Sequence, residues 1–305
     1  MVAEIFYWVL NMSILGSLAG LIILLLRRIK RIPRFCVYCL WLAPLLRFWL
    51  PLSVSARYSL MSLISRFATK TVVIYGSFEA PSVVMTNSIM AAKSYFPIVY
   101  KTNMLESAFN ISGFVWIVVF CALLITTILL YYFTKSEVRN AVHVSGNVYR
   151  CAQVTSPAVY GVLRPRIIIP ENVPEETLRY ILLHENVHLK RKDNLLRCIV
   201  VVTACLHWFN PLAWLFLKYA FEDMELACDA KVLKPLGGSG KKEYAMALLN
   251  YASNKSLYVS AFGAPRTRVR IENILSYKKL TLVSSMFFFA LTAAVIVLLV
   301  MNSQS

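Results

Sequence analysis

The stretch CIVVVTACLHWFNPLAWLFLKYAF, Cys198–Phe221, decides the fold. Lys218 is its one charged residue. A bilayer crossing takes about 20 apolar residues, so length alone would make this stretch a membrane span. Its flanks argue otherwise. Before it lies YILLHENVHLKRKDN (Tyr180–Asn194), and after it FEDMELACDAKVL (Phe221–Leu233). Both carry side chains suited to metal binding. Ligands of one zinc ion must lie about 2 Å from it, and a single crossing would put the two groups on opposite sides of the bilayer. His207, Asn210 and Pro211 sit mid-stretch, and Asn-Pro is a turn signal. The stretch therefore reads as an apolar helical hairpin, re-entrant or interfacial, that returns to the side it came from. Non-helical backbone at such a tip needs protein or water around it.

The first flank is a helix by its own signals. Pro174 with Glu175 and Glu176 marks a helix start. Leu178, Ile181, Leu182 and Val187 keep the apolar spacing to about Arg191. His184 and His188 then lie one turn apart on one face, where both imidazoles reach one ion. Glu185 is about 100° further round and can reach a water on that ion. This is the mechanical content of H-E-x-x-H. The pair uses two of only four histidines; His143 and His207 read as ordinary polar contacts. A catalytic zinc needs a third protein ligand and a water. In the second flank Glu222, Glu225 and Asp229 share a helical face, and on spacing alone either glutamate could serve.

The whole chain is that of a membrane protein. Of 305 residues 58% are hydrophobic and 15% charged, with net charge +17 and mean hydropathy +0.62. Four stretches are expected to span: Ile5–Leu26, Phe35–Val54 (interrupted by Pro44 and Arg47), Ile111–Phe133, and one beginning at Leu280. The first is too long in its apolar part, and lacks a preceding basic segment, for a cleaved signal peptide. RRIKRIPR (Arg27–Arg34) marks the cytoplasmic loop, because basic residues stay inside. The expected layout is spans one and two in 1–54 with a basic loop at 27–34, an outer loop over 55–110, span three at 111–133, a cytoplasmic domain over 134–279, and span four with a short tail in 280–305. Both termini lie outside the cell membrane. Val148–Pro170 reads as two or three short strands. Of the seven cysteines, Cys36 and Cys39 form a lone C-x-x-C that reads as small apolar packing, while Cys151, Cys198, Cys205 and Cys228 should stay reduced in the cytoplasm.

With SPAVYGVLRPRIIIP (Ser156–Pro170), HENVHLKRKD (His184–Asp193), HWFNPLAW (His207–Trp214) and EDMELACDAKVL (Glu222–Leu233) in this order, the chain resembles the BlaR/MecR family of membrane zinc metallopeptidases, the beta-lactam-sensing antirepressors. The resemblance implies a gluzincin-type fold: mainly α, four transmembrane helices, and a cytoplasmic α+β metalloprotease domain. Its second motif, E-x-x-x-D, falls on Glu225 and Asp229 and favours Glu225 as the third ligand. Zinc, held by His184, His188 and Glu225, is the implied cofactor, with Glu185 as general base. Asp229 and Asp193 could each orient a ligand histidine; the alternatives are a helix salt bridge for Asp229 and a pairing with Arg191 or Arg197 for Asp193.

The resemblance also implies a substrate, a cytoplasmic repressor of an antibiotic-resistance operon, with self-cleavage in YVSAFGAPRTRVR (Tyr258–Arg270) as a further event. Arg266, Arg268 and Arg270 are expected to face lipid phosphates. The Tyr160–Ile169 strand could bind substrate backbone by strand addition or be plain sheet core. Arg57–Phe67, in the outer loop, could be an interfacial helix that meets lipid or an extracellular sensor or ligand, or a helix packed on the spans. Full-length beta-lactam sensors carry an outer penicillin-binding domain after span four. SYKK (Ser276–Lys279) matches its S-x-x-K only in letters, on the inner side, so direct beta-lactam binding is not expected of these residues. The partners expected are the bilayer, the repressor and, by allowance, a second copy; no direct nucleic-acid contact is expected. The competing class is a non-catalytic transducer that keeps the fold. It should have lost a ligand or the base. A transporter is disfavoured because spans one, three and four carry no acidic residue away from their ends.

Overall fold

A computed structural model describes residues 2–29, 31–50, 55–56, 103–236, 240–251, 267–277, 281–300 and 302–303. Among the described residues the chain is mostly helical, with one four-stranded sheet and a two-residue parallel pairing of Ser55–Ala56 with Asn302–Ser303. Among the described residues three helices are long and apolar enough to cross a membrane: α1 (Val2–Leu26), most of α4 (Asn103–Glu137) and α10 (Leu282–Val300).

The expected second span is not one helix. It is α2 (Arg34–Leu40) and α3 (Leu42–Trp49), broken at Trp41. Pro44 explains the break, since its ring removes an N–H and clashes with the carbonyl four residues back, at Leu40. The two short helices are fixed by tertiary contacts. Phe48 packs on Gly16 and Phe216 on Gly20, both on α1. A Cβ at either glycine would lie 2.7 Å or 2.1 Å from those rings. Arg47 is buried and donates to the carbonyl of Leu299, at the negative end of α10.

The sheet runs β1 (Val142–Ser145), β2 (Val148–Arg150), β3 (Ala158–Tyr160) and β4 (Arg166–Ile169), in spatial order β1-β2-β4-β3. Only the β2–β4 pairing is parallel. Ile167, Ile168 and Ile169 are each 1% exposed, so β4 is covered on both faces. It packs, with β3, against α5 (Glu175–Arg191).

The remaining helices are α6 (Asp193–Leu206), α7 (Pro211–Leu236), α8 (Gly240–Tyr251) and α9 (Thr267–Ser276). The opening stretch is indeed a helical hairpin, α6 and the first turns of α7. Asn210 accepts from the Leu212 N–H at the start of α7, with Pro211 in the first position. Its amide also donates to Ser13 Oγ (2.8 Å) and Ser17 Oγ (2.7 Å) in the middle of α1. Phe216 meets Gly20, and Asp223 meets Arg27. So α7 runs alongside and parallel to α1, from its middle to its basic end. The tip lies about 21 Å from the level of Arg27 at 1.5 Å per residue. Three further contacts hold the hairpin, although His207 Nδ1 and Trp208 Nε1 are buried without a hydrogen-bond partner among the described residues. Trp116 Nε1 donates to Leu206 O (2.9 Å), and Trp49 Nε1 to Thr203 Oγ1 (2.6 Å). His207 Nε2 lies 3.1 Å from Phe48 O. His143 is an exposed turn contact to Gly146 O. Both match the polar contacts read from sequence.

The outer-loop helix expected at Arg57–Phe67, and most of the segment Tyr258–Arg270, lie outside the described residues.

Candidate metal centre

The site forms where α5, α6, α7, α8 and α9 meet. Lys192 alone separates α5 from α6. It takes a left-handed conformation (φ 56°), and its N–H closes α5 on the carbonyls of His188 and Leu189. That one-residue turn folds Asp193 back onto the preceding helix. Asp193, fully buried, accepts from His188 Nδ1 at 2.5 Å, from Arg191 Nε and Nη2 (3.0 and 2.6 Å), and from the Tyr38 hydroxyl (3.2 Å). Burial would raise its pKa, but His188 and Arg191 reverse this and hold it below the ordinary range. Asp193 thus makes both contacts the sequence offered it, to histidine and to Arg191. Arg197 pairs instead with Glu225 Oε1, at 2.5 Å.

His184 has the matching support. Tyr244, with no exposed surface, donates its hydroxyl proton to Asp229 Oδ1 (2.6 Å) and sits 2.8 Å from His184 Nδ1. A hydroxyl whose one proton goes to Asp229 can only accept from the imidazole, so Nδ1 carries a hydrogen and Nε2 is the nitrogen left to meet an ion. Donation from His188 Nδ1 to Asp193 has the same consequence. The two Nε2 atoms lie 3.1 Å apart. Glu225 Oε2 is 3.4 Å from the first and Glu225 Oε1 is 3.5 Å from the second.

These edges suit a metal. Ligand atoms placed tetrahedrally about an ion at about 2.0–2.1 Å are about 3.3 Å apart. A second set is His184, His188 and Cys228, whose ligand atoms lie within 4.8 Å of one another. Cys228 is buried, and its Sγ is 3.4 Å from His184 Nδ1, the ring edge already engaged by Tyr244. The geometry therefore favours the Nε2 side. Burial disfavours charge on either imidazole. Even so, Cys228 with Tyr244 and Asp229 around His184, and with Glu225 and Asp193 around His188, holds both well above their ordinary values. Positive charge is favoured here, and a bound divalent ion would replace those protons.

Glu185 is 9% exposed, and its carboxylate makes no hydrogen bond among the described residues. Across from it lies Tyr160 of β3. Burial first, then the charges of Glu137, Cys151 and Glu185, push that hydroxyl up to about 12. The outer edge of β3 is engaged: Asn194 Nδ2 donates to Val159 O (2.7 Å) and Gly161 O (3.0 Å). Strand addition at those carbonyls would have to displace Asn194.

Arg270 corrects an expectation. It does not face lipid. Its Nε and Nη2 form a fork on Asp229 (2.9 and 2.7 Å), its Nη1 lies 3.4 Å from Glu225 Oε2, and its Nη2 lies 3.3 Å from His184 Nε2. Burial opposes its charge, but Asp229 and then Glu225 hold it well above the usual value. Arg268, on the other side of α9, is exposed and pairs with Glu272. Sequence reading also missed Tyr244, which carries no motif, and took Cys228 only for a reduced cysteine. Glu222 is placed near Arg27 (3.6 Å), which leaves Glu225 as the glutamate facing both histidines.

A family model described as BlaR1 peptidase M56 matches residues 7–274. The regulatory protein BlaR1 of Bacillus licheniformis is 34% identical over 138 residues, 44% of this chain and 23% of that protein. The methicillin resistance mecR1 protein of Staphylococcus aureus (strain Mu50 / ATCC 700699) is 28% identical over 117 residues, 37% of this chain and 20% of that protein. The Staphylococcus aureus regulatory protein BlaR1 is 26% identical over 111 residues, 35% and 19% respectively. The matched stretch thus spans less than a quarter of each of these relatives.

Proposed function

The chain belongs to the BlaR1 peptidase M56 family, and from this we propose that it is a membrane-embedded zinc endopeptidase of gluzincin type, with His184, His188 and Glu225 as metal ligands and Glu185 as general base. The observation that carries this reading is the triangle of two Nε2 atoms and one carboxylate, with edges of 3.1, 3.4 and 3.5 Å. Zinc bound there would polarise the scissile carbonyl and bring the pKa of a bound water to about 7. Glu185, one residue from His184 and free of hydrogen bonds among the described residues, takes a proton from the attacking water and delivers it to the leaving amine. Asp193 orients His188, while Tyr244 and Asp229 orient His184; such outer partners fix the tautomer and ring plane. Arg270 keeps Glu225 and Asp229 ionised side by side.

The same reading places α1, the α2–α3 pair, α4 and α10 in the membrane, with both termini outside and the site on the cytoplasmic face. The α6–α7 hairpin dips into the bilayer beside α1. The relatives are named as regulatory and methicillin-resistance proteins. The substrate we infer is accordingly a cytoplasmic repressor of a resistance operon, with this chain itself, in Tyr258–Arg270, as a second target. The outer segment 55–110 is where a signal would arrive. A non-catalytic transducer has less support, because it would leave the grouping of His184, His188 and Glu225, with Asp193 and Tyr244 bonded to the two rings, without a use.

The test is metal analysis of the purified protein beside its Glu185→Ala variant, with cleavage of co-expressed candidate repressors. Zinc in both, and cleavage by the unmodified chain alone, is the expected result. Zinc in neither overturns the site, and equal cleavage by both overturns the role of Glu185.

A further inference from the structure

A groove runs between the α2–α3 pair and the α6–α7 hairpin. Trp41, Phe48, Ala204, Phe216 and Ala220 are among its buried walls, and its enclosed part measures about 130 Å³. That is close to the roughly 150 Å³ of an apolar cavity that stays dry and takes a benzene-sized guest. The lining offers almost nothing to a polar ligand. The Tyr38 hydroxyl is on Asp193, Trp41 Nε1 on Asp223 (2.8 Å), and Thr203 Oγ1 lies between Trp49 Nε1 and Ile199 O. Of the polar side chains in the lining, only the Cys39 thiol, a weak donor, has no hydrogen bond among the described residues. Small-molecule sites usually add a few placed polar groups to fix orientation, and this one has only that thiol to spare.

We propose that the groove is a binding site for one acyl chain of an anionic phospholipid, drawn from the leaflet on the Arg27–Arg34 side. Three features point to that occupant. First, the rim is apolar and outward-facing: Leu42, one of the lining residues, is 43% exposed. It lies on the α2–α3 pair, which packs against α1, itself a membrane-length helix. Second, the groove's walls from Tyr38 to Phe48 extend at most about 15 Å at helical rise, given the break at Trp41, and so stay within one leaflet of the roughly 30 Å hydrocarbon core. Third, its Tyr38 end carries the charge an anionic headgroup needs. Arg28 and Arg31 are exposed just before α2, and half-buried Arg34, one helical turn before Tyr38 on the same face, spends its Nε on Asn273 Oδ1 (2.8 Å).

The occupant would lie against the metal centre's back wall. Tyr38 bonds the carboxylate that holds His188, and Met224 precedes Glu225. The site stands whether or not the centre is catalytic.

The test uses the full chain in vesicles containing phosphatidylglycerol with a diazirine in its acyl chain, irradiated and mapped by peptide mass spectrometry. Labelling on the lipid-facing side of α4, where Phe114 and Phe133 are each 67% exposed, is the internal reference. The groove walls are expected to label severalfold above that reference. The phosphatidylcholine probe should label them about fivefold less, the worth of one arginine at an anionic surface. Ala204→Phe, which fills the groove, should abolish groove labelling and leave α4 unchanged. Should that variant not fold, Val200→Trp on the half-buried wall serves the same end. Groove labelling no higher than on α4, or unchanged when the groove is filled, overturns the site. Equal labelling by the two headgroups overturns its anionic selectivity.

Discussion

Arg27 and Asp223 join the first membrane-length helix to the helix that carries Glu225. The guanidinium grips the carboxylate with two bonds, Nε to Oδ2 at 3.1 Å and Nη2 to Oδ1 at 3.0 Å. Asp223 has no exposed surface, and Trp41 Nε1 completes its acceptors at 2.8 Å. Stacking of Arg27 over Tyr219, 4.2 Å from the ring centre, closes the cluster. Removing one partner of such a pair leaves a buried charge, which costs about 3–5 kcal/mol. Arg27→Met should therefore lower the thermal unfolding midpoint sharply in detergent or bilayer. Arg27→Met with Asp223→Leu should recover most of it, short of the unpaired Trp41 N–H. A single variant as stable as the parent would show that the pair is not structural.

Asp193 is the corresponding support for His188. Replacing it with Asn removes the charge and sets an amide against Arg191, while keeping the volume. Loss of such an orienting carboxylate typically weakens metal affinity about 10- to 100-fold. Asp193→Asn is expected to fall in that range in a chelator competition. Tyr38→Phe, which removes only the 3.2 Å bond to the same carboxylate, should fall well short of it.

Arg270 answers for two carboxylates at once. Arg270→Met would leave Glu225 and Asp229 without their common cation, and the expected cost is again about 3–5 kcal/mol. Arg270→Lys should rescue little, because an ammonium cannot reproduce the two-pronged contact with Asp229. Denaturation of the three proteins side by side checks this. Full rescue by lysine would mean that charge alone matters at this position.

What the sequence made legible, and what it hid, divides by distance along the chain. His184, Glu185 and His188 could be placed because the helical period fixes which side chains share a face. Glu225 needed the resemblance to prevail over Glu222, and the structure separates them by partner: Glu222 near Arg27, Glu225 before the histidines. The hairpin followed from a constraint rather than a pattern, since two ligand groups flank it. Pro44 pointed to a break in the second span, but its location at Trp41 is held by a bond to Asp223, 182 residues away. Arg270 was misread because its partners lie 41 and 86 residues back, and a basic residue beside a membrane helix looks like a lipid contact.

The hairpin itself yields the sharpest topological prediction. Lys192 and Lys231 are both exposed, one on either side of Cys198–Phe221. If Cys198–Phe221 were a span, an impermeant reagent would reach them from opposite faces. In a hairpin whose tip is bonded to Ser13 and Ser17, both must be reached from the face that carries Arg27 and Arg34. The experiment places Lys192→Cys or Lys231→Cys in a background with Cys39, Cys121 and Cys198, the cysteines not fully buried, changed to serine. An impermeant maleimide is then added to vesicles of known orientation. Both positions should react from the same side as an Arg28→Cys control. Reaction from opposite sides would make the stretch a true crossing. His184 and His188 would then be parted from Glu225 by a bilayer, and no single ion could hold all three.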